Sequence, residues 1–533
     1  MRAMHGISAF AAIGIMSGGC AKNVPAPVSM PILSKPITLK QTVSKPVTIF
    51  TAANSVTCLL SAPDGTFWVG TQGGIWRRDA QGQWQKFTRQ DGLPSHETRA
   101  LHCKNGTIVA TFPRKEAIWN GAKWSGQKSD LPEPQEVKRT AATVWQGKIC
   151  YATPAELVLG EGTEARKIAL PPSPGTHVSA LLPQGDKLWA MLFGDRLWAF
   201  DGTNWTPASI ELPPQIHDVT ALAMEGQTLW IGTRQNGVWK RDGEQWTQPF
   251  LSDEPFNHNA QFMAWFRGTL FVSTLEDGLV ARTPQGGWQH FAAPTLSSNI
   301  PRQMTVFRDK LYVRHSNGRV DRFDGVAWER NVITGISRPD VSSIAADSSH
   351  LFITQWGGWS ESDGANWKQN LNIPELQALP LTCLLPDGKT LWIGTQGRGL
   401  LEVPRLTGKR RWHDERGGLS DDWITCLAKA NGTLYAGTFV GGLARYDGKR
   451  WRQTPELAGQ NVTALAADGK GGLLISTRQG VWKRNRNGKM RWLASQFPLL
   501  KGETQALCMT PEGLWIGTRT ALMLWKNEEN AKP

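Results

Sequence analysis

Residues 228–233 read TLWIGT, the same phrase returns at 390–395, and 513–518 read GLWIGT. A phrase stamped repeatedly along one chain marks repeated chemistry or repeated architecture, and its period decides which. The final, usually Thr, position of the phrase falls at Thr71, Thr111, Thr153, Leu192, Thr233, Thr274, His315, Gln355, Thr395, Thr438, Thr477 and Thr518. Successive positions lie 39 to 43 residues apart, which divides the chain into twelve units of nearly constant length. A unit of this size is one supersecondary element that cannot bury its apolar face alone and must stack on its neighbours.

Each unit contains the same four short apolar runs. An inner run such as VTCLL (56–60) or VTALA (219–223) comes first, and the LWIGT run second. A third such as GVWKRD (237–242) follows, then a fourth that opens on a Trp, as at Trp84, Trp246, Trp328 or Trp451. Runs this short and this rich in β-branched and aromatic residues are strands. Asp-Gly pairs at 201–202, 242–243, 324–325, 363–364 and 447–448 join the third run to the fourth. Their tolerance of positive φ makes them hairpin turns, so these Asp are turn formers and not catalytic acids. Four antiparallel strands in about 40 residues, repeated many times, define an all-β fold, a β-propeller of about twelve four-stranded blades. The last unit stops after its third strand (522–526), while VTIFT (47–51) precedes the first inner run. The N-terminal segment is therefore expected to supply the missing outer strand of the last blade, removing an open strand edge. Because propellers usually have four to eight blades, two rings are expected. The predicted division places 45–300 in the first propeller, with 45–51 closing the last blade, and 301–533 in the second.

The first residues follow a different logic. Arg2 precedes the apolar run ISAFAAIGIM (7–16), too short to span a bilayer, and the run ends in SGGC at Cys20. Residues 1–19 are predicted to be a signal peptide. Small residues before a Cys resemble the lipobox of bacterial lipoproteins, although Ser17 stands where a Leu is usual, and this implies lipidation at Cys20. Residues 20–44, rich in Pro, read as an extended tether. The implied location is outside the cytoplasm, in the periplasm or on the outer membrane, with the membrane engaged through the anchor at Cys20.

The stretches LWIGTQGRGL (391–400), GLARYDGKRW (442–451) and FTRQDGLPSHE (87–97) resemble the repeat of two-component regulator propellers. The resemblance covers residues 50–533 and is weakest in units 2, 3, 7 and 8. It implies an extracytoplasmic, sensor-type propeller associated with recognition of glycans or other ligands. No kinase or DNA-binding segment follows here, so the resemblance implies a free-standing protein and not direct phosphorelay.

The remaining residues are weighed against their place in the repeat. Seven Cys in an exported chain invite a disulfide reading. Yet Cys58, Cys383 and Cys426 hold an inner-strand slot that Ala180, Ala221 and Ala464 hold elsewhere, so they are expected to be free, small packing groups. The chain has 26 Trp but only 4 Tyr, and the LWIGT Trp exchanges with Phe271, Tyr312 and Leu474, which marks packing between blades. Specificity then falls to positions where units differ. Arg314 and His315 replace the usual Gly-Thr, and QWGGW (355–359) replaces the usual turn. A planar aromatic beside a cation suits an acidic sugar, so Arg314, His315, Trp356 and Trp359 are the candidate ligand-binding residues. His96, His177, His217 and His258 each lie just before an inner strand and are candidates for one mouth of a channel. Asn54, Asn299 and Asp422 fill the same place elsewhere, which suits a polar loop cap equally well.

The net charge of +14 is concentrated in late runs such as TGKRRWHDER (407–416) and WKRNRNGKMRW (482–492), on outer strands. These either grip an anionic polymer or protect strand edges. No zinc signature, nucleophile elbow, phosphate loop or dinucleotide fingerprint occurs, so no catalytic residue, metal or cofactor is expected. The function expected is a non-enzymatic platform for a ligand or partner, an anionic glycan or an envelope protein, and no nucleic acid. The alternatives are a propeller glycan lyase or hydrolase with a channel-mouth site, and a structural subunit of an envelope assembly.

Overall fold

A computed structural model describes residues 47–128, 141–171, 177–192, 196–250, 259–406 and 408–526. The predicted signal peptide, tether and Cys20, as well as His258, lie outside these residues. The described chain forms twelve four-stranded sheets, one per unit, and contains no α-helix. In units 1 to 11 the four strands pair in sequence order, each antiparallel to the next. The twelfth sheet is completed as expected: Val47–Thr51 pairs with Ala521–Trp525, in register from Val47 opposite Trp525 to Thr51 opposite Ala521. Phe50 of that strand stacks on Trp515 at 5.3 Å and lies beneath the Arg282 guanidinium at 4.8 Å, tying the closing strand to units 12 and 6.

The second strand of each unit is the buried one. In Phe67–Thr71 and Leu351–Gln355 every residue is buried, and Trp68, Trp230 and Trp515 are among the most deeply buried large side chains. Tryptophan can fill this place because facing sheets are twisted and leave wide wedges between them, which a large flat ring closes.

The inner strands carry a second device. Pairing slips by one residue after Val56, Val219, Leu381, Ile424 and Val462. Such a bulge re-aims the side chain that follows. That side chain is a Thr in each case, and its hydroxyl donates to a carbonyl at or just before the start of the neighbouring inner strand. Thr57 donates to Thr98 at 2.7 Å, Thr382 to Ile424 at 2.7 Å, Thr425 to Val462 at 2.5 Å and Thr463 to Thr504 at 2.7 Å. Thr220 of unit 5 donates to Val56 of unit 1 at 2.7 Å, joining residues 164 positions apart.

The packing order of the sheets follows from these contacts. Units 3, 4, 5, 1 and 2 adjoin through their inner strands, and units 6 to 12 adjoin in sequence, with unit 12 returning to unit 6. Unit 6, which the expected division placed before the boundary at residue 300, packs with units 7 and 12. The cause is local: the amides of Asn259 and Ala260 donate to the carbonyls of Arg519 and Thr518 at 2.9 and 3.2 Å. Gln261 Nε2 also donates to Gln505 Oε1 at 3.1 Å. The segment at 293–301 is an ordinary connection between two sheets of the same group.

Candidate functional site

In an antiparallel four-stranded sheet, the turn from strand two to strand three and the connection into strand one lie at the same end. That end is built on the repeated Thr. Thr395 Oγ1 donates to the Gly399 carbonyl at 2.8 Å and accepts from the Arg398 amide at 3.2 Å. Thr233, Thr274 and Thr477 make the same pair of bonds. One buried hydroxyl thus fixes each of these four turns, and the residue after the Thr makes neither bond. In units 6 to 12 the residue after this slot is Leu275, Ser316, Trp356, Gln396, Phe439, Arg478 and Arg519.

The four predicted ligand residues separate in the structure. His315 stands in the Thr slot and is wholly buried, its Nε2 2.8 Å from the Asp321 carboxylate. Asp321 also accepts from the Ser297 amide at 2.7 Å, the Ser297 hydroxyl at 2.5 Å and the Asn331 amide at 2.9 Å. Burial alone would raise the Asp321 carboxyl, but these donors together hold it below its ordinary value. The pair replaces the Thr lock of sister units with a heavier one. Arg314, in the Gly slot, donates to the carbonyls of His315 and Val341, both at 3.3 Å. Burial and the nearby Arg302 lower its pKa to about 10. Trp359 is buried, packed with Phe352, Leu376 and Leu391. Only Trp356 is presented to solvent, 56% exposed, so no aromatic-and-cation surface forms from this set. The pattern break was real, but His315 fills the interior of the Thr slot, and Trp359 takes the apolar slot that Ile75 holds in unit 1.

The histidines are likewise dispersed. His96 is buried, with Nε2 lacking any hydrogen-bond partner, and His177 is half-buried. His217 is exposed, with Nε2 3.1 Å from Asn236 Nδ2 and Nδ1 3.4 Å from Asp218. Among the described residues no group of three or more His, Cys, Asp or Glu is placed to hold a metal. All six described cysteines are free, and burial pushes the thiols of Cys58, Cys383 and Cys426 up to about 12. The basic outer strands are partly neutralised: Arg411 meets Glu402 at 3.0 Å, Arg452 meets Asp447 at 3.0 Å and Lys483 meets Asp468 at 3.5 Å.

The turn end of units 10 and 11 holds a surface the repeat pattern did not single out. Trp423 and Phe439 stack at 4.2 Å, with ring planes 18° apart, and the Arg478 guanidinium lies 5.8 Å from the Phe439 ring centre. A cleft of about 220 Å3 beside them is lined by Phe439, Val440, Gln460, Asn461, Arg478 and Gln479. Val440 is 58% exposed, and the Gln460 Oε1 is buried without a partner. The signal available was Phe439-Val440, an apolar pair in a turn where units 1, 5, 7, 9, 11 and 12 carry polar residues or Gly.

The fold and these contacts define a β-propeller repeat protein. The family model described as Two component regulator propeller matches residues 52–73, within the first unit, so the chain carries that family's repeat. No curated protein matches it in sequence. Among solved structures it resembles PorZ, described as an essential bacterial surface component of the type-IX secretion system of Porphyromonas gingivalis. The TM-score is 0.62 with 14% identity, over 90% of this chain and 87% of that one. Lower similarity relates it to the extracellular domain assigned to the hybrid two component system BT4673 of B. thetaiotaomicron, with TM-score 0.44 and 15% identity over 88% and 69% of the two chains. The Niastella koreensis GH74 enzyme has TM-score 0.47 and 12% identity over 90% of this chain and 100% of that one. No helix among the described residues is long and apolar enough to cross a membrane.

Proposed function

We propose that this protein is a non-enzymatic, extracytoplasmic binding platform, exported by residues 1–19 and anchored through lipid on Cys20. We also infer that its sheets close as two rings, of five and seven blades, and that the seven-blade ring presents the binding face. The observation that carries this reading is the cleft at units 10 and 11. A stacked Trp423–Phe439 pair, an Arg478 cation and the amides of Gln460, Asn461 and Gln479 converge there. Flat apolar rings beside amide donors and acceptors suit a sugar ring, and the guanidinium favours one bearing a carboxylate. The ligand class is therefore an acidic saccharide. The test is titration of the full chain with uronate-containing oligosaccharides, alongside Phe439→Ala and Arg478→Gln. The reading expects saturable binding that either substitution abolishes while the circular dichroism spectrum is kept. Equal binding by all three proteins overturns it, and cleavage of the oligosaccharide on incubation overturns the non-enzymatic part.

A further inference from the structure

A second cavity, of about 200 Å3, lies where the connection after unit 1 meets units 11 and 12. From one side it is lined by Arg89 and His96, and from the other by Lys501, Glu503, Thr504 and Arg519. His96 is only 3% exposed, and its Nε2 has no hydrogen-bond partner. Buried polar nitrogens are nearly always paired in folded proteins, so an orphan against a cavity calls for a partner from outside the chain. Arg89 reaches across to the carbonyls of Pro498, Leu499 and Lys501, at 3.5, 3.3 and 3.4 Å. These bonds are long for nitrogen to oxygen, leaving donor capacity in the guanidinium. Lys501 and Arg519 have no ion-pair partner among the described residues, whereas the one carboxylate, Glu503, faces Arg478 at 4.0 Å. The cavity is thus rich in donors and positive charge, and poor in acceptors.

We propose that this cavity is a binding site for a small oxyanion, a carboxylate or a phosphate group, held by His96, Arg89, Lys501 and Arg519. Burial, together with the charges of Arg89 and Lys86, drives the His96 pKa down to about 3, so the ring is neutral and contributes one N–H donor. The three cations supply the charge. The volume admits a functional group or small acid and is below the usual size of a drug-like pocket. Occupancy has a mechanical consequence. The same connection holds the closing strand, through Gln90 Nε2 donating to the Val47 carbonyl at 2.6 Å. An anion bridging Arg89 to Lys501 and Arg519 therefore fastens unit 1 to the sheet that Val47–Thr51 completes.

The experiment is calorimetric titration of the full chain with inorganic phosphate and, separately, with glucuronate, which distinguishes the two oxyanion sources. Lys501→Gln with Arg519→Gln removes two exposed donors, and Arg486→Gln with Lys489→Gln, at the opposite sheet ends, controls for net charge. The expected result is saturable binding of at least one probe, weakened about tenfold or more (about 1.4 kcal/mol) in the first pair and unchanged in the second. The bound probe also shifts the His96 imidazole resonances, and Phe439→Ala leaves its affinity intact, which separates this site from the saccharide cleft. Absence of saturation with both probes, equal loss in both charge pairs, or an unmoved His96 overturns the proposal.

Discussion

Gly394 tests how the sheets are held at their distance from one another. It lies opposite Cys383 in the register of the first two strands of unit 9, and its backbone is ordinary strand, so Cβ space alone decides the cost of a side chain. A Cβ built there meets Cys383 Sγ at 2.6 Å and Ile424 Cγ2 and Cβ at 3.0 and 3.1 Å. The first contact is inside any tolerated separation, while the others need shifts of a few tenths of an ångström. Gly394→Ala is expected to cost about 1–3 kcal/mol, the usual range for overpacking a dense interior. The repeat suggests the remedy. Cys faces Gly in units 1, 9 and 10, whereas the larger residues Ser476 and Met191 face Ala464 and Ala180. Cys383→Ala alone removes one buried sulfur and should cost about 1 kcal/mol. Combined with Gly394→Ala it vacates the clashing place, so the double variant should be more stable than the sum of the two losses by about 1 kcal/mol or more. Urea unfolding followed by tryptophan fluorescence and circular dichroism measures all four proteins. Additive losses, or a neutral Gly394→Ala, refute the argument that the sulfur sets the spacing.

Other consequences are as direct. Deleting residues 1–51 removes the strand whose Val47 and Thr51 are buried and whose Phe50 stacks on Trp515, so thermal unfolding should shift downward. Deleting 1–40 should leave the transition in place, and equal behaviour of the two truncations counts against closure by that strand. His96 should make the fold acid-sensitive: its pKa falls from 6.5 unfolded to about 3 folded, so below pH 6.5 the unfolded chain takes up the proton first. Stability then declines as pH falls from 6.5 towards 3, by about 3 kcal/mol between pH 7 and 4.5. His96→Asn, the residue sister units use, should flatten that slope in pH-dependent urea denaturation. Trp230→Ala should cost about 3–5 kcal/mol through its core cavity, while Trp356→Ala, at an exposed turn, should stay within about 0.5 kcal/mol. Comparable losses at the two sites refute the separation of packing slots from the free turn positions.

The sequence alone determined the number of units, the four strands of each, the turn chemistry and the strand borrowed from the N-terminus. All of these are local signals: a period, an alternation, an Asp-Gly pair, or a missing run at one end and a spare one at the other. The free cysteines were legible for the same reason, since a slot shared by Cys and Ala reports its own size. What only the tertiary structure decided is which units are neighbours. Units 5 and 1 adjoin through Thr220 and Val56, and units 12 and 6 through Gln505 and Gln261. Every unit carries nearly the same interface, so nothing in the repeat distinguishes unit 5 joining unit 1 from unit 6 doing so. The same limit governs the site. His315 reads as a free imidazole until Asp321 and Ser297 enclose it, and His96 reads as a loop cap until residues 499–523 form the far wall of its cavity. Burial and charge at a residue are set by groups remote in the chain, and a one-dimensional pattern does not record which of them arrive.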